Sequence, residues 1–305
     1  MFGPNLKRTF EEKPVLLYKT IGLCVKPTND DLSYQLERIT ALLKSLGCDV
    51  LYEERAAEYL KTTNFCSREE LGERCDLIIV LGGDGTMLSV ARSLSRFGKP
   101  VVGVNAGRLG FITDLCQEDV DTRLPEMLAG QSICDERPLL EGIVLRNGKE
   151  IYRQLAVNDI GISHGRAGGM VDFLVYVNNQ QMACQSADGV ICSTATGSTA
   201  YSLAAGGPIL HPSLEGMILV PVAPHTLSNR PIVLPLKSQI QIELLDARDA
   251  VAYFDMQEFC DMVPGDRLII RQAEHRVTIL HPIGYDYFKL LRQKLKWNFM
   301  PKSER

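Results

Sequence analysis

The stretch LIIVLGGDGTMLSV, residues 77–90, sets one carboxylate, Asp84, among three glycines directly after an apolar run. Glycines admit positive φ and close approach of the backbone to an anion, and the amides opening a following helix point the same way. A turn after a buried parallel strand also lies at the sheet edge where open α/β folds take ligands. Gly82, Gly83, Gly85 and Thr86 are therefore a candidate phosphate cradle, with the next helix expected to begin near Thr86. A carboxylate would repel a phosphate laid against it. It fits if a metal lies between them, or if the acid takes a proton from a hydroxyl that attacks the phosphorus. The second role explains Asp84 most economically; the plainer alternative is an Asp-Gly pair that only makes a tight turn. The GxGxxG dinucleotide pattern fails at Leu88, and GxxxxGK[ST] does not occur.

A second segment, SADGVICSTATGSTAYSLAAGGPIL (186–210), concentrates hydroxyls, small residues and glycines. Asp188 can grip ribose hydroxyls or an amide, and Tyr201 can pack on a ring. Ser193, Thr194, Thr196, Ser198, Thr199 and Ser202 offer neutral donors and acceptors, most of them assignable to turns and caps. Nothing nearby supplies a His–Asp relay for a serine nucleophile. His225 stands in a Pro-bounded loop, either against a nucleotide or as a structural histidine. The other four histidines lack metal-ligand spacing. Asp255 and Gln257, in FDMQ, are binding candidates or simply a strand-end turn.

The elements that must position these residues fall into two textures. TIGLCV (20–25), DVLY (49–52), LIIVL (77–81) and VVGVN (101–105) are strand candidates. Between them run helical stripes: Leu32, Leu36, Ile39, Leu43 and Leu46, capped by Asn29 or Asp30 and closed by Gly47, then Met87, Val90, Ala91, Leu94 and Phe97. This alternation predicts a parallel sheet with crossover helices. From about residue 138 short strands dominate. EGIVLR and EIYRQLAV flank Asn147-Gly148, VDFLVYV precedes Asn178-Asn179, and QIQIEL (239–244), RLIIR (267–271) and RVTIL (276–280) follow as separate strands. YDYFKLLRQKLKWN returns to helical spacing through Tyr287, Phe288, Leu291 and Leu295.

The expected fold is thus α/β plus mostly β: an extension (1–19), an α/β domain carrying GGDGT (20–137), a β-rich domain (138–283) and a C-terminal helix (284–305) that packs back on the first domain. A net charge of −4 gives no basic face for nucleic acid. No apolar run reaches the roughly 18 residues that span a membrane. The N-terminal twenty residues lack the apolar core and cleavage site of a signal peptide. Nine cysteines with no CxxC pair read as structural thiols of a cytoplasmic protein rather than a zinc site.

The sequence closely resembles the NAD kinase family, through GGDGT (82–86), GRLGF (107–111), ND (158–159), DGVICSTATGSTAYSLAAGGPI (188–209) and PHTLSNRPIV (224–233). These occur in the family's order and span most of residues 20–290. GGDGT alone is shared with lipid and sugar kinases; the long motif is far more specific. The resemblance implies a Rossmann-like N-terminal domain, a β-rich dinucleotide-binding domain, and a site in the cleft between them. It implies phosphorylation of the adenosine ribose 2′-hydroxyl of NAD by ATP, a divalent cation, usually Mg²⁺, bound with the ATP, and a homodimer or homotetramer. By motif matching, Asp84 is the base on the hydroxyl and Gly85 adjoins it. Phe111, Asn158, Asp159, Asp188, Thr199, Ala200, Tyr201 and Ser202 bind the dinucleotide, with Ala223 and Gln257 as further positions. Asp159 stands where many members have glutamate, and Gly169 and Ser186 where relatives often have basic or larger polar residues; Arg166 is a nearby replacement or a solvated arginine. A lipid or sugar kinase, and a non-catalytic dinucleotide sensor, are the rival readings. Formation of NADP from NAD, ATP and Mg²⁺ separates all three.

Overall fold

The computed structural model describes residues 15–27, 31–107 and 110–297. The chain groups into two units, the first formed by residues up to 87 with 99–134 and those from 280 on, the second by 88–98 and 135–279.

In the first unit, continuous apolar runs alternate with helical stripes. The elements are β1 (Thr20–Val25), α1 (Ser33–Ser45), β2 (Asp49–Tyr52), α2 (Glu54–Tyr59), α3 (Arg68–Arg74), β3 (Leu77–Gly82), the start of α4 (Asp84–Leu94), β4 (Val101–Asn105) and α5 (Val120–Leu128). The sheet order β2-β1-β3-β4 is parallel at every pair. β3 is buried along its whole length, as a strand covered on both faces must be. α1 turns Leu36, Ile39 and Leu43 into the core, and Gly47 ends it with φ +87°. The expected caps Asn29 and Asp30 lie outside the described residues; Asp31 accepts a hydrogen bond from Ser33 N at 2.9 Å. Of the expected extension, Leu17 and Tyr18 donate their amides to Leu128 O. Asp76 accepts from Lys19 N and Thr20 N at 2.9 Å each, pinning the start of β1 to the start of β3.

The second unit is built of antiparallel strands: β5 (Ser132–Arg146), β6 (Lys149–Ala156), β7 (Asp159–His164), β8 (Val171–Val177), β9 (Gln180–Ala187), β10 (Gly189–Thr194), β11 (Gly216–Val222), β12 (Ile232–Pro235), β13 (Ile240–Ala247), β14 (Ala250–Phe254), β15 (Glu258–Met262) and most of β16 (Arg267–Pro282), with α6 (Tyr201–Ala204) after β10. One six-stranded sheet runs β12-β11-β10-β7-β14-β15; another set runs β16-β13-β8-β9. The β5–β6 hairpin turns at Asn147 and Gly148 with positive φ at both, and the β8–β9 hairpin at Asn178 and Asn179 likewise. Both are the backbone a two-residue turn demands. RLIIR and RVTIL, expected as separate strands, form one strand, β16. The connecting QAEH holds no glycine, proline, asparagine or aspartate to break it. A large apolar cluster including Ile160, Val190, Cys192, Phe173 and Phe254 fills this unit.

The terminal helix α7 (Tyr287–Leu295) belongs to the first unit. It buries Tyr287, Leu290 and Leu291, while Phe288, expected on the apolar stripe, is exposed.

Candidate active site

The turn after β3 is tighter than expected. α4 begins at Asp84, not near Thr86. Gly83 O accepts from both Thr86 N and Met87 N at 3.1 Å, so the Thr86 amide is engaged inside the helix and that residue offers its hydroxyl. An acid at the first helical position is favoured by the helix dipole, which the expected loop geometry would not have supplied. Gly82, Gly83 and Gly85 are not among the described glycines with positive φ. Gly82 is needed for room instead: a Cβ there would stand 2.8 Å from Thr86 Oγ1 and 3.1 Å from Lys26 Cβ.

The Asp84 carboxylate is held by the segment 111–113. Oδ2 accepts from Phe111 N at 2.8 Å. Oδ1 accepts from Ile112 N at 3.1 Å, Thr113 N at 3.2 Å and Thr113 Oγ1 at 3.0 Å. Among the described residues Oδ1 is crowded with three donors, whereas Oδ2 keeps a lone-pair direction beside one donor. The loop is fixed in turn: Gly110 N donates to Thr113 O, and Asn105 N to Leu115 O. Gly110 can only be glycine here, because a Cβ would collide with Asp84 Oδ1 and Thr113 Oγ1. Phe111 is half-buried, with Lys294 Nζ 5.7 Å above its ring. Arg108 and Leu109 of GRLGF lie outside the described residues.

In the second unit the long motif forms β10, a 3₁₀ turn at Thr196–Thr199, and α6. Most of its hydroxyls stitch the turn together. Thr194 Oγ1 donates to Val157 O at 2.7 Å and accepts from Gly197 N at 3.1 Å. Ser198 Oγ reaches Ala195 O at 2.7 Å and accepts from Leu210 N at 3.0 Å, while Thr199 Oγ1 reaches Thr196 O at 3.4 Å. Thr196 Oγ1 accepts from Arg137, a buried arginine that also pairs with Asp135. Ser202 is different: its buried Oγ has no hydrogen-bond partner among the described residues. Tyr201 lies half-buried with its ring 6.2 Å from that of Tyr253, and Thr199 and Ala200 flank it, half-buried.

Asn158 precedes β7 and Asp159 opens it, and Asp255 holds their backbone. Its Oδ1 accepts from Asn158 N at 2.7 Å and Asp159 N at 3.2 Å; its Oδ2 accepts from Val157 N and from Arg92 Nη1, both at 3.0 Å. Asp255, read from sequence as a binding candidate, is a buried anchor. Gln257 Oε1 accepts from Arg92 Nη2 at 3.2 Å, which ties that expected contact to the same anchor. Asp159 is 2% exposed and its Oδ1 has no hydrogen-bond partner among the described residues. Burial first, then the charge of Asp255, pushes its carboxyl up to about 7. Asp188 is half-buried, with its amide on Val222 O and its carbonyl on His164 N. Ala223 is exposed at φ +46°, and His225 is exposed with its amide on Ser186 O. Gly169 has φ +102°, a conformation that a residue with a side chain would hold only under strain. Among the described residues no group of three or more His, Cys, Asp or Glu is placed to hold a metal ion.

Sequence reasoning missed Arg92, Arg137 and Thr113. Arg92 sits between Ala91 and Ser93 next to an apolar helical stripe, and a 7%-exposed arginine there marks a buried acid elsewhere in the chain.

Comparison with known proteins agrees across the chain. Residues 21–132 match the family described as ATP-NAD kinase N-terminal domain, and residues 157–281 the ATP-NAD kinase C-terminal domain. An NAD kinase of Cupriavidus pinatubonensis is 44% identical over 289 residues, 94% of this chain and 95% of its own length. One from Variovorax paradoxus is 47% identical over 270 residues, covering 86% and 89%. An NAD kinase from Archaeoglobus fulgidus, solved in complex with ATP, superposes with a TM-score of 0.73 at 25% identity, over 91% of this chain and 98% of that one. Yeast NADH kinase complexed with NADH shares the fold, with a TM-score of 0.85 at 23% identity over 94% and 90% of the two chains.

Proposed function

This chain belongs to the ATP-NAD kinase family, and from that membership we infer that it transfers the γ-phosphoryl group of ATP to the 2′-hydroxyl of the adenosine ribose of NAD, giving NADP and ADP. The match across residues 157–281 separates it from kinases that share only the GGDGT turn.

We propose Asp84 as the base. The ribose oxygen forms a bond to the γ-phosphorus as the bond from that phosphorus to the β–γ bridging oxygen breaks, and the hydroxyl proton passes to Asp84 Oδ2. The observation that carries this role is the asymmetry of the carboxylate: three donors on Oδ1 and one on Oδ2 hold the group still while leaving a proton acceptor. Phosphoryl transfer is accelerated chiefly by positioning and charge stabilisation, so a restrained acid suits it. Mg²⁺ arrives with ATP as the substrate complex. Asp159 Oδ1 and Ser202 Oγ, buried polar atoms without protein partners, suit the hydroxyl and amide groups of a dinucleotide. Homo-oligomeric assembly and action in the cytoplasm complete the reading. Nine cysteines without a disulfide support a reducing compartment, and no described helix is long and apolar enough to cross a membrane.

The four hydrogen bonds also favour a second reading, in which Asp84 only anchors the loop. Asp84→Asn separates the two. Asparagine can keep the bonds at Oδ1 but presents an NH₂ to Phe111 N–H, losing one bond at about 1 kcal/mol. Loss of a general base costs roughly 10²–10⁴ in kcat. The expected outcome is a fall of at least about 10² in kcat with NAD affinity little changed, measured by NADP formation and by calorimetric titration of NAD. Equal, small losses in both would leave Asp84 as an anchor only.

A further inference from the structure

The residue after the three that hold Asp84 is Asp114, and its Oδ2 accepts a hydrogen bond from His281 Nδ1 at 3.0 Å. The His281 side chain is wholly buried and that of Asp114 is 9% exposed. Since an ionised carboxylate only accepts, Nδ1 carries the proton in this pair. The imidazole stacks on the Tyr285 ring, 3.9 Å between centroids and 9° from parallel. The chain then enters α7, where Asp286 accepts from Phe288 N and Lys289 N, and Lys294 of that helix stands over Phe111. The C-terminal segment thus holds the loop at both ends, at Phe111 and at Asp114, and the amides that bind Asp84 come from residues 111–113. All these residues belong to the first unit.

We propose that His281 is a positioning residue for phosphoryl transfer: by holding Asp114 it fixes the 111–113 amides, and through them the place of Asp84 Oδ2. The inference rests on the reading of Asp84 as the base. A nearly buried carboxylate that loses its donor must turn to solvent or to another partner. Asp114 is bonded directly to Thr113, which supplies two of the four donors to Asp84. A shift of about 1 Å in a reacting group is enough to cost on the order of 10²-fold in rate.

The test uses the full chain with His281→Phe, which keeps a ring against Tyr285 but has no N–H, and His281→Asn, whose Nδ2 replaces the Nδ1 donor. Steady-state NADP formation and thermal unfolding are measured for both. The expected result for His281→Phe is a kcat at least about tenfold lower, with KM for NAD and ATP within about threefold, and His281→Asn recovering most of the loss. A folded His281→Phe with unchanged kcat, kcat and KM altered in step, or no recovery in His281→Asn would overturn the proposal. Should His281→Phe fail to fold, Asp114→Asn, which keeps the shape but weakens the bond, carries the test: a fall in kcat at constant KM supports the proposal and an unchanged kcat refutes it. Asp84→Asn measured alongside keeps the two claims apart. Wild-type turnover there removes the base, whereas an inactive Asp84→Asn beside an unaffected His281→Phe removes only the positioning role.

Discussion

Asp159 makes the stability of this protein depend on pH in a direction opposite to most paired carboxylates. In the folded chain its carboxyl is pushed up to about 7, by burial and then by the neighbouring Asp255, from an ordinary value of 3.8. Between these values the unfolded chain has released the proton and the folded chain still holds it. Folded protein binds more protons there, so stability falls as pH rises through that window and is greatest, for this group, below about 4. Three pH units at about 1.4 kcal/mol each give about 4 kcal/mol as the largest effect. Asp159→Asn keeps the shape and stays neutral at every pH, so it removes this penalty.

The variant should therefore match the wild type in stability near pH 4.5 and exceed it at pH 8 by about 2–4 kcal/mol. Urea unfolding at both pH values reads the difference directly, and because other titrating groups are common to both proteins they cancel. A constant offset between the two, or a variant less stable at pH 8, would refute the account of Asp159 as a buried carboxyl lacking a partner. Function should move the other way. If a ribose hydroxyl donates to Oδ1, Asp159→Asn loses a charged acceptor and NAD affinity falls by about 10-fold or more, a charged hydrogen bond being worth about 1.5–3 kcal/mol.

Arg92→Leu leaves the wholly buried Asp255 side chain without its cation; the expected loss is about 3–5 kcal/mol in urea unfolding, partly restored in Arg92→Leu with Asp255→Asn, where neither charge remains. Gly110→Ala drives a methyl into Asp84 Oδ1 and Thr113 Oγ1. Overpacking of this kind costs about 1–3 kcal/mol, so thermal unfolding should show a folded protein while the NADP assay shows kcat reduced about tenfold or more.

The strands were largely legible because burial on both faces demands uninterrupted apolar runs: TIGLCV and VVGVN occupy β1 and β4 residue for residue, and the half-buried DVLY fills β2, at the end of the sheet order, likewise. Turns that need positive φ at two successive residues were legible from Asn147-Gly148 and Asn178-Asn179. What failed was local detail where a polar residue serves a distant partner. Asp84 read as the middle of a turn because glycines flank it, yet it opens a helix and accepts from residues 27 to 29 positions later. Asp255 reads as a binding candidate or a strand-end turn because nothing nearby in sequence shows Arg92, 163 residues earlier. His281 was judged only by spacing to other histidines, and its partner Asp114 lies 167 residues away. Periodicity reports which face is buried; it carries no information about which acid a buried base will meet.

A carboxylate would be costly laid against a phosphate, and the hydrogen bonds around Asp84 suit an acid at that position all the same. Three converging donors on Oδ1 call for an acceptor that brings no donor of its own, whereas a hydroxyl carries an O–H and an ammonium accepts nothing. In the proposed mechanism the sugar hydroxyl's proton goes to the second oxygen of the same restrained group, Oδ2, which carries one donor, Phe111 N. Aspartate has a side chain short enough to be fixed by one turn of loop, whereas glutamate would carry the carboxylate a methylene further from α4 and out of register with the 111–113 amides. Helix start, loop amides and the glycine at 110 thus converge on one restrained carboxylate, the group the proposed mechanism uses.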